Sequence, residues 1–215
     1  MKKNEEKGEQ IGLFSLEDSK EKKTRKRKKK DEVVENIEEP KMTLHEFDLS
    51  KGEIVIGVDE AGRGPLAGNV VAAAAILKKY SSDLDEINDS KKLTEKKREK
   101  LFDVIMENFY IGVGEATPEE IDEINILNAT FLAMRRALEN LKKQCSTDYL
   151  VLVDGNFKIR EYEGEQEFVI KGDAKSLSIA AASIIAKVTR DREMIEEGKK
   201  YPEYKFEKHK GYGTK

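Results

Sequence analysis

Two adjacent carboxylates, Asp59 and Glu60, stand directly after the apolar run Ile54–Val58, and the turn Gly62-Arg63-Gly64 follows at once. Carboxylates gathered at a strand end are ligands for a hard divalent cation. A turn with two glycines lets backbone N–H groups come close to a ligand, and an arginine between them suits a phosphate. Two further acids occupy similar settings. Tyr149–Val153 is a β-rich run that leads into Asp154-Gly155, and Glu167–Ile170 is followed by Lys171-Gly172-Asp173. Aspartate beside glycine is also ordinary turn chemistry, so one such acid would carry little. Three strand-like runs that each deliver an aspartate, one of them doubled by Glu60, point instead to a carboxylate cluster. In an open α/β sheet that edge is where ligands bind. Oxygen-only ligands fit Mg2+ or Mn2+ rather than zinc, and the two histidines and one cysteine have no zinc-site spacing.

The elements that must position these acids are legible from periodicity. Ile54–Val58 and Asn69–Leu77 read as two buried strands joined by the glycine turn, and Tyr110–Ala116 as a third. Apolar residues at helical spacing mark helices over Thr94–Phe109 and Leu127–Lys143. Tyr149–Val153 and Glu167–Ile170 supply two more strands, and Ser176–Glu197 a long helix with an apolar face. Strands first, then strands alternating with helices, indicate an α/β fold, a mixed sheet flanked by helices. Neighbouring strand residues face opposite sides. Asp59 and Glu60 can therefore share one site only if the strand ends or twists at this pair, which the glycine turn permits.

Several of these motifs together resemble bacterial ribonuclease HII, in that family's order. They are Val58-Asp-Glu-Ala-Gly-Arg-Gly-Pro-Leu-Ala-Gly68, Asp89-Ser-Lys-Lys-Leu93, Val153-Asp-Gly155, Gly172-Asp-Ala-Lys175 with Ala180–Val188, and His209-Lys-Gly-Tyr-Gly-Thr214. The resemblance runs from about Gly52 to the last residue, and Arg63 favours type II over the related type III enzymes, which carry a lysine in that turn. It implies an RNase H-like fold and cleavage of RNA in RNA–DNA hybrids, including a ribonucleotide embedded in DNA. It also implies two-metal hydrolysis with ions about 4 Å apart, held by Asp59, Glu60, Asp154 and Asp173, with Asp59 as the bridging ligand. The Gly62-Arg63-Gly64 turn would read the 2′-hydroxyl with backbone groups, helped by Tyr212, whose ring would stack on the sugar at the DNA side of the junction. Ser90, Lys91 and Lys92, before a helix, and Lys187 and Arg190, near Ser183 on the last long helix, are the candidate phosphate donors.

This sequence departs from the family pattern in two places. Asn69 replaces a usual proline. The sequence also stops soon after Gly211-Tyr-Gly-Thr214, where the family continues with a histidine and a helical segment, so Tyr212 is expected on an untethered end. The alternative reading is therefore a hybrid- or DNA-binding protein with impaired catalysis.

Composition bounds the rest. The 215 residues suit one ordinary domain, expected over residues 41–215 as a monomer. Residues 1–40 hold 12 Lys/Arg and 11 Asp/Glu, leaving 28 basic and 32 acidic residues beyond them. An acidic core is unusual for a nucleic-acid binder and fits acids neutralised by metal. Residues 1–40 are too polar to bury a core and read as a disordered tail. Within them the apolar island Gln10-Ile-Gly-Leu-Phe14 resembles the peptides by which bacterial repair proteins dock on the replication sliding clamp. A single cysteine, Cys145, fits a reducing compartment. The longest apolar run, Val70–Leu77, is far short of the roughly 20 residues of a membrane helix, so a cytoplasmic location and no membrane contact are expected.

Overall fold

The computed structural model describes residues 42–87, 93–146 and 148–214. The tail with its 10–14 island, and Ser90, Lys91 and Lys92, lie outside the described residues.

Five strands form one mixed sheet among the described residues: β1 (Val55–Ala61), β2 (Val70–Leu77), β3 (Phe109–Ala116), β4 (Leu150–Asp154) and β5 (Gln166–Val169), in the order β3-β2-β1-β4-β5. The β1–β2 and β2–β3 pairs are antiparallel, and β1–β4 and β4–β5 are parallel. The expected α/β mixed sheet is present. β1 lies at the centre and carries Asp59 and Glu60.

Helices cover both faces. On one side α3 (Pro118–Lys142) packs Phe131, Met134, Leu138 and Leu141 against Ile56, Val58, Val151 and Val153. On the other, α2 (Glu95–Asn108) and α4 (Leu177–Lys200) bury Leu101, Ile105, Ile184 and Ile185 over Ala73 and Ala75. A strand buried on both faces reads as a continuous apolar run rather than an alternating one, which is why β2 is Val-Val-Ala-Ala-Ala-Ala-Ile-Leu. Its alanines, with Gly57, let helices come close. A Cβ on Gly57 would stand 2.0 Å from the Ser178 carbonyl carbon.

Each long helix starts at a side-chain cap. Thr94 and Ser176 accept from Lys97 N–H and Ile179 N–H, and Thr117 forms a capping box with Glu120 ahead of Pro118. The helix expected to begin at Leu127 begins at Pro118 instead. Asn125, with φ 65°, breaks it, and its side chain accepts from Leu127 N–H and Asn128 N–H at 3.1 and 3.2 Å, capping a second start. The sequence pattern thus finds the second half of α3 and misses the first. It also misses α1 (Leu44–Lys51), although its capping box, Thr43 with Glu46, is visible as a Thr-x-x-Glu spacing. Asp48 of α1 accepts from the buried Ser178 N–H at 2.8 Å, so α1 caps the first turn of α4.

Candidate active site

The strand does not end at the acidic pair. β1 stays paired with β2 through Asp59↔Ala73, Glu60↔Ala72 and Ala61↔Val71. Its two acids therefore face opposite sides of the sheet. Asp59 lies on the α4 side, 5 % exposed, where the Ser183 hydroxyl of α4 bonds its carboxylate. Glu60 lies on the α3 side, in a small cleft with Leu127, Phe131, Met134 and Asp154, and its carboxylate accepts from Arg63 at 3.0 Å.

Asp154 follows Val153, which pairs with Val58 in the parallel β1–β4 ladder, so Asp154 lies beside Asp59. One of its oxygens accepts from Gly172 N–H at 2.6 Å. That bond ties β4 to the short 3-10 turn Gly172–Ala174, which carries the buried Asp173. Asp59, Asp154 and Asp173 are thus brought to one corner of the sheet, with Glu60 reaching it from the other face. Among the described residues, no three acidic, histidine or cysteine side chains are gathered closely enough to cage an ion by themselves. Protein donors hold one oxygen each of Asp59, Glu60 and Asp154: the Glu60 N–H, Arg63 and the Gly172 N–H.

The electrostatics suit a cation. Burial, and then the charges of Glu60 and Asp154, push the Asp59 carboxyl well above the usual carboxylate range, only partly offset by Ser183 and the Glu60 N–H. Several carboxylates crowded into low dielectric are costly unless protonated or paired with positive charge. A donor set made only of oxygens fits a hard divalent ion.

A second group of residues surrounds the glycine turn. Gly62 has φ 112°, and a Cβ there would stand 2.5 Å from the Asn69 carbonyl oxygen and 2.7 Å from Arg190 Nε, so only glycine fits. Arg190 is 1 % exposed. Its guanidinium donates to the carbonyls of Asn69, Ala67 and Lys210 at 2.9, 2.8 and 2.9 Å. This corrects the expectation of a phosphate donor: the side chain is buried and spent on backbone oxygens, sewing the loop after the turn to the segment before Tyr212. Leu66 N–H also donates to the Gly211 carbonyl at 2.9 Å. The expectation of an untethered Tyr212 is corrected by the same bonds. The Tyr212 ring is 47 % exposed, 3.6 Å from where a Cβ on Gly64 would be.

Lys187 stands with its ammonium 5.8 Å from the Tyr212 ring centre. It pairs with the nearly buried Asp191 at 2.6 Å, which Arg98 also approaches at 4.0 Å. Sequence reasoning gave no weight to Arg98 or Asp191. It also missed a carboxylate pair beyond the turn. Asn69 donates to Glu115 at 3.1 Å and to Glu193 at 3.4 Å. Burial, and then Glu115, push Glu193 up to about 7.

The family model described as Ribonuclease HII matches residues 56–215, which include every element of the site. The chain belongs to the ribonuclease HII family. It is 65 % identical to a Ribonuclease HII of Fusobacterium nucleatum over 184 residues, covering 85 % of this chain and 84 % of that protein. The fold is similar to that in the crystal structure of ribonuclease H2 from Pyrococcus horikoshii OT3, with TM-score 0.61 and 35 % identity over 75 % of this chain and 81 % of that one. It is also similar to the structure of the PCNA:RNase HII complex from Archaeoglobus fulgidus, with TM-score 0.58, 27 % identity and the same coverage. As a member of this family the chain is a ribonuclease H type II, a metal-dependent endonuclease acting on the RNA of RNA–DNA hybrids. No helix among the described residues is long and apolar enough to cross a membrane.

Proposed function

We propose that this endonuclease also cuts at single ribonucleotides embedded in duplex DNA, by two-metal phosphodiester hydrolysis, with Asp59, Glu60, Asp154 and Asp173 as the ligands of Mn2+ or Mg2+. The observation that carries this reading is the stitching of the Gly62–Gly64 turn to Tyr212 through Arg190, beside the buried acids. Bound at those acids, divalent ions supply a water of lowered pKa and positive charge against the leaving 3′ oxygen.

The chain's own residues do the positioning. Asp59 and Asp154, side by side on the neighbouring strands β1 and β4, mark where the scissile phosphate lies, and Glu60 approaches from the α3 side. The Gly62–Gly64 backbone meets the 2′-hydroxyl, the feature by which a protein tells RNA from DNA. With Arg63 drawn to Glu60 at 3.0 Å, the backbone of the turn rather than its side chain is offered to the sugar. Tyr212, fixed by its neighbours' bonds, stacks on the adjoining sugar. Lys187, together with Ser90, Lys91 and Lys92, meets phosphates, which fix register without reading sequence.

Two partner assignments complete the proposal. The catalytic domain works as a cytoplasmic monomer, and Gln10–Phe14, in the sequence before it, docks on a replication clamp. The PCNA:RNase HII complex of a relative supports the second.

The test is a DNA duplex carrying one ribonucleotide, incubated with the protein and Mn2+ or Mg2+ beside an all-DNA control, with Asp154→Asn alongside. Cleavage of the first substrate alone, lost in the variant, is expected. Binding without cleavage would establish the binding-protein alternative, and cleavage of both duplexes would remove the 2′-hydroxyl reading.

A further inference from the structure

Leu66 is 87 % exposed, more than any other large apolar side chain among the described residues. An isolated surface leucine is ordinary, but this one stands on a backbone held from two sides. Its N–H donates to the Gly211 carbonyl at 2.9 Å, and the carbonyl of the next residue, Ala67, accepts from buried Arg190 at 2.8 Å. Gly68, one residue further, lies against Met194. The side chain is therefore presented to solvent by a rigid mount. One methyl carbon, Cδ1, lies 3.7 Å from where a Cβ on Gly213 would be, and Gly213 directly follows Tyr212. Leu66 and Tyr212 thus project from two segments tied to each other, with the Tyr212 ring beside Gly64 of the turn.

The inference rests on the proposed reading of the 2′-hydroxyl by that turn. In a hybrid duplex the 2′-hydroxyls line the minor groove, which is wide and shallow. A turn that meets a 2′-hydroxyl must lie in this groove. Leu66, two residues beyond Gly64 and fixed to the same frame, then enters it too. Groove-binding proteins use aliphatic side chains for such apolar contacts. We propose that Leu66 is a specificity-determining residue that packs on the sugar next to the ribonucleotide and selects deoxyribose there. Covering a 2′-hydroxyl with a leucine removes its water and offers no hydrogen bond, which is costly. Covering a 2′-methylene carries no such cost. The side chain thereby favours a ribonucleotide followed by DNA over one followed by more RNA.

The test compares the parent with Leu66→Ala and Leu66→Asn on two duplexes, one with a single embedded ribonucleotide and one with an uninterrupted RNA strand. Steady-state kcat and KM are measured for each at fixed salt and metal, with a thermal melt of every protein. The expected result is a fall of about tenfold, roughly 1.4 kcal/mol, in the ratio of kcat/KM for the embedded ribonucleotide to that for continuous RNA. Melting should match the parent, because the side chain packs against almost nothing. An unchanged ratio overturns the inference, whether both rates hold or both fall together. If the parent itself fails to cut at the embedded ribonucleotide, the underlying reading fails and this inference falls with it; a parent that cuts, with variants of parental ratio, removes the Leu66 role alone.

Discussion

Arg190 donates through its guanidinium to the carbonyl of Lys210 at 2.9 Å, two residues before Tyr212, and through Nε to the carbonyl of Asn69 at the same distance. One buried side chain therefore sets the spacing between the glycine turn and the tyrosine. The proposed substrate reading by the turn and stacking by the ring would depend on that spacing.

Replacing Arg190 with alanine leaves the three carbonyls of Asn69, Ala67 and Lys210 without their donor. Each buried unsatisfied group costs about 1–3 kcal/mol, so urea denaturation should show a loss of at least ~3 kcal/mol. Arg190→Lys should recover little of it, because an ammonium is a compact charge and cannot span three separated oxygens as a planar guanidinium does. Recovery by lysine to parental stability would mean that charge, rather than the fork geometry, is what the site needs.

Glu193 makes stability depend on pH. Its carboxyl is pushed from 4.5 up to about 7 by burial and then by Glu115, opposed by Arg190 and Asn69. The folded state therefore holds a proton that the unfolded chain releases near its ordinary value. The stability this confers is complete below about 4.5, declines as pH rises, and is gone above about 7. Glu193→Gln mimics the protonated form at every pH. Denaturant midpoints measured from pH 5 to pH 8 should converge for parent and variant at the acid end and diverge toward pH 8, the parent being the weaker. Parallel curves would show that the pair does not share a proton. Asp59 and Asp48 are also pushed upward, but both are present in parent and variant and cancel in the comparison.

Asp59→Asn separates folding from function. The carboxylate is buried among like charges, so replacing it with a neutral group of the same shape should preserve or raise the melting temperature in metal-free buffer. Cleavage should fall by at least about a thousandfold, on the order of 4 kcal/mol of barrier. Added Mn2+ should raise the melting temperature of the parent and raise that of the variant much less. Equal metal stabilisation of the two proteins would place the ion elsewhere.

Gly57→Ala tests the close approach of β1 to α4. The added Cβ would stand 2.0 Å from the Ser178 carbonyl carbon and 2.2 Å from Ile179 N. Both atoms are backbone and neither can swing aside, so the helix must move. Overpacking of this kind costs about 3 kcal/mol. Because Ser183 of the same helix bonds Asp59, cleavage should fall along with the denaturant midpoint. A variant of parental stability and activity would show that α4 sits further from the sheet.

Local sequence was enough to determine the kind of most principal elements and to bring each acid to the C-terminal end of a strand or just beyond it. Runs such as Val70–Leu77 are apolar because they are buried on both faces, and the helices announce themselves through spacing and caps. The family motifs gave the site its membership for the same reason: their residues are adjacent in the chain. Strand parity even forecast that Asp59 and Glu60 would face opposite sides of a regular strand. That the strand continues past them was decided by pairing with β2, a contact no local pattern encodes. The roles that escaped the sequence belong to long-range partners. Arg190 looks like a solvated charge on a helix until the carbonyls of Ala67, Asn69 and Lys210, contributed by two other segments, surround it. Glu115 and Glu193 look like surface acids until β3 and α4 bring both to Asn69. Tyr212 looks like a loose end until Arg190 and Leu66 tie down the residues before it. A side chain's type sets what it can bond, but burial and partner geometry, which only the folded chain supplies, decide what it does bond.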